Sequence, residues 1–117
     1  MHAICVHAMR YSAQHGFYEL NAFPGCNQIV ISNHAFINHN ARGQGYGKAQ
    51  HNARLAEIQR LGYDYAMCTV NTANLAECRI LNSNGWTRIA VFINRETGNT
   101  VGIYGKHIHQ PVMETRK

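Results

Sequence analysis

The chain has 117 residues, with 11 Lys and Arg against 6 Asp and Glu, so its formal net charge is +5 with histidine neutral. This length favours a single domain, and an apolar content of 45% is enough for a hydrophobic core, which excludes a disordered chain. No apolar run approaches the roughly 20 residues that span a bilayer, and residues 1–10 lack a signal-peptide pattern, so we expect a small, basic, cytoplasmic protein without a membrane segment.

The first half of the chain is predicted to contain three strands. Short strands are expected over residues 3–9 and 16–23, and the second is followed by Pro24-Gly25, the pattern of a type II turn. The β-branched run over residues 28–37 predicts a longer strand. It leads into a glycine-rich loop that ends at residue 47.

The segment from Gly45 to Leu61 has the periodicity of a helix. Small side chains recur on it at spacings of three and four, at Ala49, Ala53 and Ala56. We expect this alanine stripe to face the sheet, because small side chains allow a helix to approach closely. Arg54 and Arg60 on the same helix are expected to lie on its solvated face.

The second half of the chain is predicted to contain three further strands and a short helix. The strands are expected over residues 63–70, 86–94 and 100–108, the helix over 74–84, and a hairpin turn over 96–99. The order strand, loop, helix, strand, helix, strand, strand indicates a mixed α/β or α+β domain.

The cysteines and histidines lack the spacing of a metal site. The four cysteines match no zinc motif, and nothing marks the chain as secreted, so we expect reduced thiols that pack in the structure. Among the eight histidines, none has a carboxylate or thiolate at a spacing that completes a site. We therefore expect no metal.

The loop before the long helix has the features of an anion site. Its glycines at every second position remove the Cβ atoms that would keep a ligand from the backbone, and a helix N-terminus offers unpaired N–H groups and partial positive charge. Arg42 and Lys48 add fixed positive charge at either end. These features favour a diphosphate. Neither the Walker A pattern, G-x-x-x-x-G-K-[ST], nor the dinucleotide pattern, G-x-G-x-x-G, is present.

Two motifs resemble the GNAT superfamily of N-acetyltransferases. The segment RGQGYG over residues 42–47 matches R-x-x-G-x-G, the acetyl-CoA signature of that family, and NLAECRILNSNGW over residues 74–86 looks like its second motif. The resemblance covers roughly residues 28 to 105. It implies a GNAT-like fold, with a mixed, mostly antiparallel central sheet, a long helix after the R-x-x-G-x-G loop and a second short helix.

The resemblance also implies how the chain is organised. It would form one GNAT-like domain over 1–117, with abbreviated N-terminal strands over 1–27, a cofactor-binding core over 28–109 and a tail over 110–117. In the family, a first strand and two helices usually cover one side of the acceptor cleft. Their abbreviation would leave that cleft open, or covered by a second subunit, and an open sheet edge favours a homodimer.

The activity implied by the resemblance is acyl-CoA-dependent N-acetyl transfer. An acetyl group would move from acetyl-CoA to a primary amine by direct attack; the acceptor, a protein lysine or N-terminus or a small amine, is not indicated. The cofactor would be bound by the loop backbone, the end of the preceding strand and the second helix. The residues implied are Phe36, Ile37, Asn38, Arg42, Gly43, Gln44, Gly45, Tyr46, Gly47, Lys48, Asn74 and Arg79.

The catalytic groups are less sharply indicated. The Tyr that often protonates the departing thiolate in the family aligns with Leu81, which has no proton to give. The substitutes left open are a water, Ser83, Asn82 and Cys78. The candidates for the base are an ordered water, Tyr104, and the two histidines near the expected acetyl position, His34 and His39.

Two other classes of function stay open. A catalytically weak GNAT-like module that binds CoA or a partner without turnover would suit both the leucine at position 81 and the abbreviated front of the chain. A small nucleic-acid-binding domain would suit the net charge of +5, although the basic residues form no tight cluster along the sequence.

Overall fold

A computed structural model describes residues 9–13, 16–38 and 41–109 of the chain. Its elements follow in the order β1 (Met9–Ala13), β2 (Gly16–Phe23), β3 (Cys26–Ile37), α1 (Tyr46–Arg60), β4 (Tyr65–Asn71), α2 (Leu75–Ser83), β5 (Thr87–Ile93) and β6 (Thr100–His107). The strands form one six-stranded sheet in the order β1-β2-β3-β4-β6-β5. All neighbours are antiparallel except β3 and β4, so the expected mixed, mostly antiparallel sheet with two helices is confirmed.

The first strand differs from its predicted position. The predicted strand over 3–9 falls mostly on residues 1–8, which lie outside the described part of the chain, as does the predicted tail over 110–117. Among the described residues, β1 spans Met9–Ala13 and so ends four residues beyond the predicted strand. Its partner is β2, and the rings of Tyr11 and Tyr18, which face each other in the register, stack with their centroids 4.9 Å apart. This cross-strand contact extends the strand beyond the apolar run that the prediction relied on.

Both helices pack on the same face of the sheet. The guanidinium of Arg54 on α1 donates hydrogen bonds to Ser32 on β3 and to Glu77 on α2, so the three elements meet at one buried residue. The hydrophobic core fills the space between the helices and this face. Its buried members are Tyr18, Leu20, Val30, Ile58, Ala66, Cys68, Val70, Leu81, Trp86 and Tyr104.

The alanine stripe of α1 does not face the sheet, so that prediction is wrong. Ala49, Ala53 and Ala56 are exposed, and the buried side chains of the helix are Gln50, His51, Arg54 and Ile58. The long polar side chains reach hydrogen-bond partners across the core, which the alanines cannot do. Arg54 is only 3% exposed, so its predicted position on the solvated face is also wrong, whereas Arg60 is exposed as expected.

The buried polar side chains of α1 are hydrogen-bonded to groups in β2, in β3 and in the turn before β5. Gln50 Nε2 donates to the carbonyl of Phe17 at 3.2 Å, and His51 Nε2 accepts from the indole Nε1 of Trp86 at 2.9 Å. Arg54 Nη1 donates to the hydroxyl of Ser32 at 3.0 Å. Specific contacts rather than apolar packing therefore offset most of the burial of these groups, although His51 Nδ1 and Arg54 Nε have no hydrogen-bond partner among the described residues.

The other face of the sheet carries no helix among the described residues. Because side chains alternate along a strand, the neighbours of the core-facing residues point to this uncovered face. They include apolar side chains that are only partly buried, namely Ile29, Ile31, Met67, Val101 and Ile103. Within the described ranges, no helix is both long and apolar enough to cross a membrane.

Candidate functional site

The loop between β3 and α1 is shaped by two glycines in the left-handed region. Gly43 has a φ of 79° and Gly45 a φ of 84°, values that glycine adopts without steric cost. Gly45 is the N-cap residue of α1, and its carbonyl accepts the first helical hydrogen bond from the amide of Ala49 at 3.1 Å. These glycines turn the chain from the end of β3 directly into the helix.

The N-terminus of α1 presents positive charge to the space in front of it. The N-cap residue Gly45 has no side chain to cap the helix, and the first turn contains no acidic residue. The partial positive charge of the helix end is therefore not neutralised by a carboxylate of that turn. Arg42 and Lys48 lie on either side of it, and both are exposed. The arrangement has the chemistry of an anion site.

Gly47 lies in the first turn of α1 and is not required by the backbone. Its φ is outside the left-handed region, and a Cβ built on it would lie 3.6 Å from Ile80 Cδ1, an ordinary van der Waals distance. The packing of the described residues would thus accept alanine here. The hydrogen atom in place of a side chain leaves room in front of the helix.

A cavity of about 720 Å³ lies between this loop, the N-terminal turns of both helices and the end of β3. Its volume is within the range typical of ligand sites. The residues that line it are Ile37, Arg42, Gly43, Gly45, Gly47, Lys48, Gln50, Asn74, Ala76, Glu77, Arg79 and Ile80.

Strands β3 and β4 separate beside the cavity. Their parallel pairing joins only residues 29–31 to residues 65–67, although β3 continues to Ile37 and β4 to Asn71. The two strands therefore splay apart beyond residues 31 and 67. The far end of β3 stays paired with β2 on its other side, through Phe36 and Phe17. The end of β3 is therefore held by β2 on one edge, while its other edge faces the opening.

The side chain of Arg42 fixes the loop to the end of β3. Its Nε donates to the carbonyl of Ile37 at 3.0 Å. This contact orients the loop relative to the opening between the strands. It also shows that the guanidinium lies within reach of both the cavity and the strand end.

The N-terminus of α2 forms the opposite wall of the cavity. Asn74 caps it, because its side-chain oxygen accepts from the amide of Glu77 at 3.1 Å. The carboxylate of Glu77 also lines the cavity, but it accepts from Arg54 Nη2 at 3.3 Å. The one acidic side chain of the cavity wall is thereby paired with a buried cation, so it repels an incoming anion less.

The structure brings eight of the twelve predicted cofactor residues to the cavity wall. Asn38, Gln44 and Tyr46 belong to the same segment without lining the cavity, and the side chain of Phe36 lies outside the described part of the structure. Sequence reasoning missed four lining residues, which are Gln50, Ala76, Glu77 and Ile80. The i, i+4 spacing of Ala76 and Ile80 on the helix that Asn74 caps could have indicated those two; no pattern marks Gln50.

Of the predicted catalytic residues, only Ser83 has a side chain in the described part of the structure. His39 and the side chain of His34 lie outside the described residues. Ser83 is exposed near the C-terminal end of α2, does not line the cavity, and donates its hydroxyl to the carbonyl of Arg79 at 2.7 Å. Its predicted role as proton donor has no support in this position.

Leu81 and Tyr104 belong to the core. Leu81 is fully buried, which explains an apolar residue at this position of α2, and Tyr104 is 2% exposed. Burial, and then the neighbouring Cys78, raise the pKa of Tyr104. A phenol that holds its proton more strongly than usual is a poor base at neutral pH, so the structure does not favour that role. Of the other substitutes, Asn82 is exposed and Cys78 is half-buried.

Solved structures of acetyltransferases have the same fold. An acetyltransferase of the GNAT family from Streptococcus pneumoniae superposes with a TM-score of 0.71 at 18% identity, covering 81% of this chain and 60% of that one. YncA from Salmonella typhimurium, described as an acetyltransferase and solved with its cofactor acetyl-CoA, gives 0.71 at 16% identity over 83% and 60%. The ribosomal-protein-S18-alanine N-acetyltransferase from Escherichia coli gives 0.71 at 13% identity over 88% and 67%.

The likeness is one of structure and not of sequence. The sequence matches no protein-family model and no curated protein. The chain spans about three fifths of the length of the first solved structures that it matches. What these comparisons establish is the fold, which is that of the GNAT acetyltransferases.

Proposed function

We propose that the chain is a member of the GNAT superfamily and an acyl-CoA-dependent N-acetyltransferase, which moves an acetyl group from acetyl-CoA to a primary amine. The proposal rests on three features of the fold that meet at one place. The positively charged N-terminus of α1, the N-terminus of α2 and the end of β3 beyond its pairing with β4 surround one cavity. The R-x-x-G-x-G loop forms part of the wall of this cavity.

The wall of the cavity fits the chemistry of acetyl-CoA. The helix end beside Gly45, together with Arg42 and Lys48, would hold the diphosphate, and Asn74 and Arg79 would contact the rest of the cofactor. The edge of β3 that faces the opening would pair with the amide groups of the pantetheine arm in the manner of an added strand, next to the Ile37 carbonyl that already accepts from Arg42 Nε. This use of the edge requires the separation between β3 and β4 described above.

The chemistry that acetyl-CoA supplies is an activated thioester. The chain must then provide an N–H group near the thioester oxygen, a path for the proton of the attacking amine and a proton for the departing thiolate. The N–H would come from the end of β3, near Ile37 or Asn38. A water is the simplest proton donor, because Leu81 has no proton to donate and Ser83 does not line the cavity.

The binding step is tested by the substitution Lys48→Glu. This change places an acidic residue in the first turn of α1, where it stabilises the helix, and reverses a charge at the cavity. We expect acetyl-CoA to raise the melting temperature of the wild type, and the affinity of the variant to fall at least about fivefold, the scale of an exposed ion pair lost and replaced by repulsion. The melting temperature of the variant without ligand should not decrease.

Arg95→Glu is the matched control, because it makes the same change of charge at an exposed position in the turn after β5. It should leave the affinity for acetyl-CoA unchanged. Equal losses in both variants would mean that only net charge matters, and the absence of any shift with acetyl-CoA in the wild type would overturn the proposal. Thiol release with a panel of amines, including lysine peptides and polyamines, then tests transfer.

A second function is favoured by the position of Leu81. Since this residue is fully buried and no other side chain of α2 replaces the family's tyrosine at the cavity, a module that binds CoA without turnover fits the same geometry. Binding of acetyl-CoA without thiol release for any amine would favour it. Release of thiol that depends on the amine would exclude it.

A further inference from the structure

The edge strand β5 is the most exposed apolar element of the described structure. All seven of its residues are exposed, and no described strand pairs with its outer side. The large apolar side chains are 52% exposed at Ile89, 47% at Val91 and at Phe92, and 65% at Ile93. From Ile89 to Ile93 the strand has no charged residue.

These apolar side chains point to both faces of the sheet. Val91 lies opposite Gly102 on the face that the helices cover, and Phe92 lies opposite Val101 on the uncovered face. A partner that packed on one face alone would therefore leave half of them in water. A partner strand beside β5 would extend both faces at once.

The hydrogen bonds of β6 fix which groups of β5 point outward. The amide of Asn94, just after β5, donates to the carbonyl of Asn99, so the backbone groups of Asn94 point toward β6. The carbonyl of Thr100, opposite Ile93, instead accepts from the amide of Thr72 on the side of β4. Since the direction alternates along an antiparallel ladder, Phe92 points toward β6. The backbone groups of Val91 and Ile93 therefore point away from the sheet.

We propose that the outer edge of β5 pairs with the same edge of a second copy of this chain, antiparallel about a two-fold axis at Phe92. In this register Val91 of each copy pairs with Ile93 of the other, and each pair exchanges two backbone hydrogen bonds. Phe92 then lies opposite Phe92 of the second copy in a pair without hydrogen bonds, the type in which side chains approach most closely. The two sheets become one sheet of twelve strands.

Neighbouring registers are less favourable. A shift by one residue would set the outward groups of Val91 against inward groups of Phe92. A shift by two would bring either the irregular pairing between Arg88 and Ala90 or the turn after Asn94 into the ladder. The pairing about Phe92 is the one that uses both outward-facing residues of the regular segment.

A second copy fits this edge better than an unlike strand for two reasons. The segment pairs with itself about the axis, so each copy supplies partners for the four outward N–H and C=O groups of Val91 and Ile93 in the other. Each chain carries a net charge of +5, and the uncharged run allows two such chains to meet with no charge at the centre, while Arg88, Arg95 and Glu96 lie at the ends. The exposed fractions amount to about two whole side chains per copy, roughly 300–500 Å². Over two copies this is roughly 600–1,000 Å², below the standard interface size, so we expect a weak and reversible dimer.

The experiment is sedimentation velocity of the full chain without acetyl-CoA, from about 1 to 200 μM. We expect a reversible monomer–dimer equilibrium. Phe92→Lys sets two ammonium groups against each other at the axis, and should raise the dissociation constant at least about thirtyfold, by like-charge repulsion and loss of the aromatic pair. Phe23→Lys is the control, since Phe23 is also an exposed aromatic residue but ends β2 elsewhere in the sheet.

A covalent test reports the register. Phe92→Cys should form a disulfide-linked dimer under mild oxidation, because directly opposed residues of such a pair have Cβ atoms within about 5.5 Å. Val91→Cys should do so far less, since each Val91 faces Ile93 instead. A monomer at all concentrations, equal weakening by both lysine variants, or equal cross-linking by both cysteine variants would each overturn the proposal. None of these outcomes depends on whether the chain binds acetyl-CoA.

Discussion

A single buried histidine should make the fold sensitive to mild acid. His51 is fully buried on α1, and its Nε2 accepts a hydrogen bond from the indole of Trp86. Burial, together with the nearby charge of Arg54, lowers the pKa of His51 from 6.5 to about 4. The neutral imidazole is thus the form that the folded protein accommodates.

The size of the effect follows from the two pKa values. In the unfolded chain the imidazole takes up a proton below about pH 6.5, whereas in the folded protein it does so only near pH 4. Between these values the unfolded state binds more protons, so this contribution to stability is present in full above pH 6.5 and is lost as the pH falls toward 4. The loss is about 3 kcal/mol in all, of which about 2 kcal/mol falls between pH 7 and pH 5.

The assay compares the wild type with His51→Gln. Glutamine does not titrate, and its side-chain oxygen can still accept from Trp86. The free energy of unfolding is measured by urea titrations followed by circular dichroism. When the pH is lowered from 7 to 5, the wild type should lose about 2 kcal/mol more of this free energy than the variant does. The other histidines and the carboxylates are common to both proteins, so their titration cancels in the difference.

The result that would refute this reasoning is a difference in unfolding free energy that stays the same at both pH values. In that case the imidazole would have equal proton affinity in the folded and unfolded states. A larger loss in the variant than in the wild type would contradict the direction of the pKa shift.

Two further substitutions test the contacts that join the helices around the cavity. Arg54→Met leaves Glu77 and Ser32 without this partner and should lower the unfolding free energy by roughly 2 kcal/mol. Adding Glu77→Gln to that variant should recover part of the loss in urea titrations, and losses that simply add would contradict the pairing. Asn74→Ala removes the cap of α2, so it should lower the unfolding free energy by about 1 kcal/mol and weaken acetyl-CoA binding in a titration. Asn82→Ala, at an exposed position on the same helix, should change neither quantity.

The elements and the cavity loop were predictable because their signals are local. The β-branched run before the loop, the glycines within it and the Asn74 cap each specify a backbone conformation through residues close in sequence. The loop's charged residues could also be identified, since Arg42 and Lys48 flank the start of α1 whatever lies around it. Eight predicted cofactor residues therefore meet at one cavity.

The buried face of α1 could not be predicted, because its polar residues depend on partners that are distant in the chain. Arg54 meets Ser32 and Glu77, which are 22 and 23 residues away, and His51 meets Trp86 at a separation of 35. An apolar stripe is a useful guide only where burial is unspecific. Where hydrogen bonds offset the cost of burying polar groups, periodicity assigns the wrong face.

The short pairing between β3 and β4 divides the sheet into two mechanical units. One contains β1, β2 and β3, the other β4, β6 and β5. Each is held by long antiparallel ladders, whereas three residue pairs and the hydrogen bond from the amide of Asp64 to the carbonyl of Gln28 join β3 to β4. Amide protons at this seam should exchange with solvent sooner than those inside either unit, and a ligand held across it would slow both. The line along which the sheet opens is thus also the line along which it can flex.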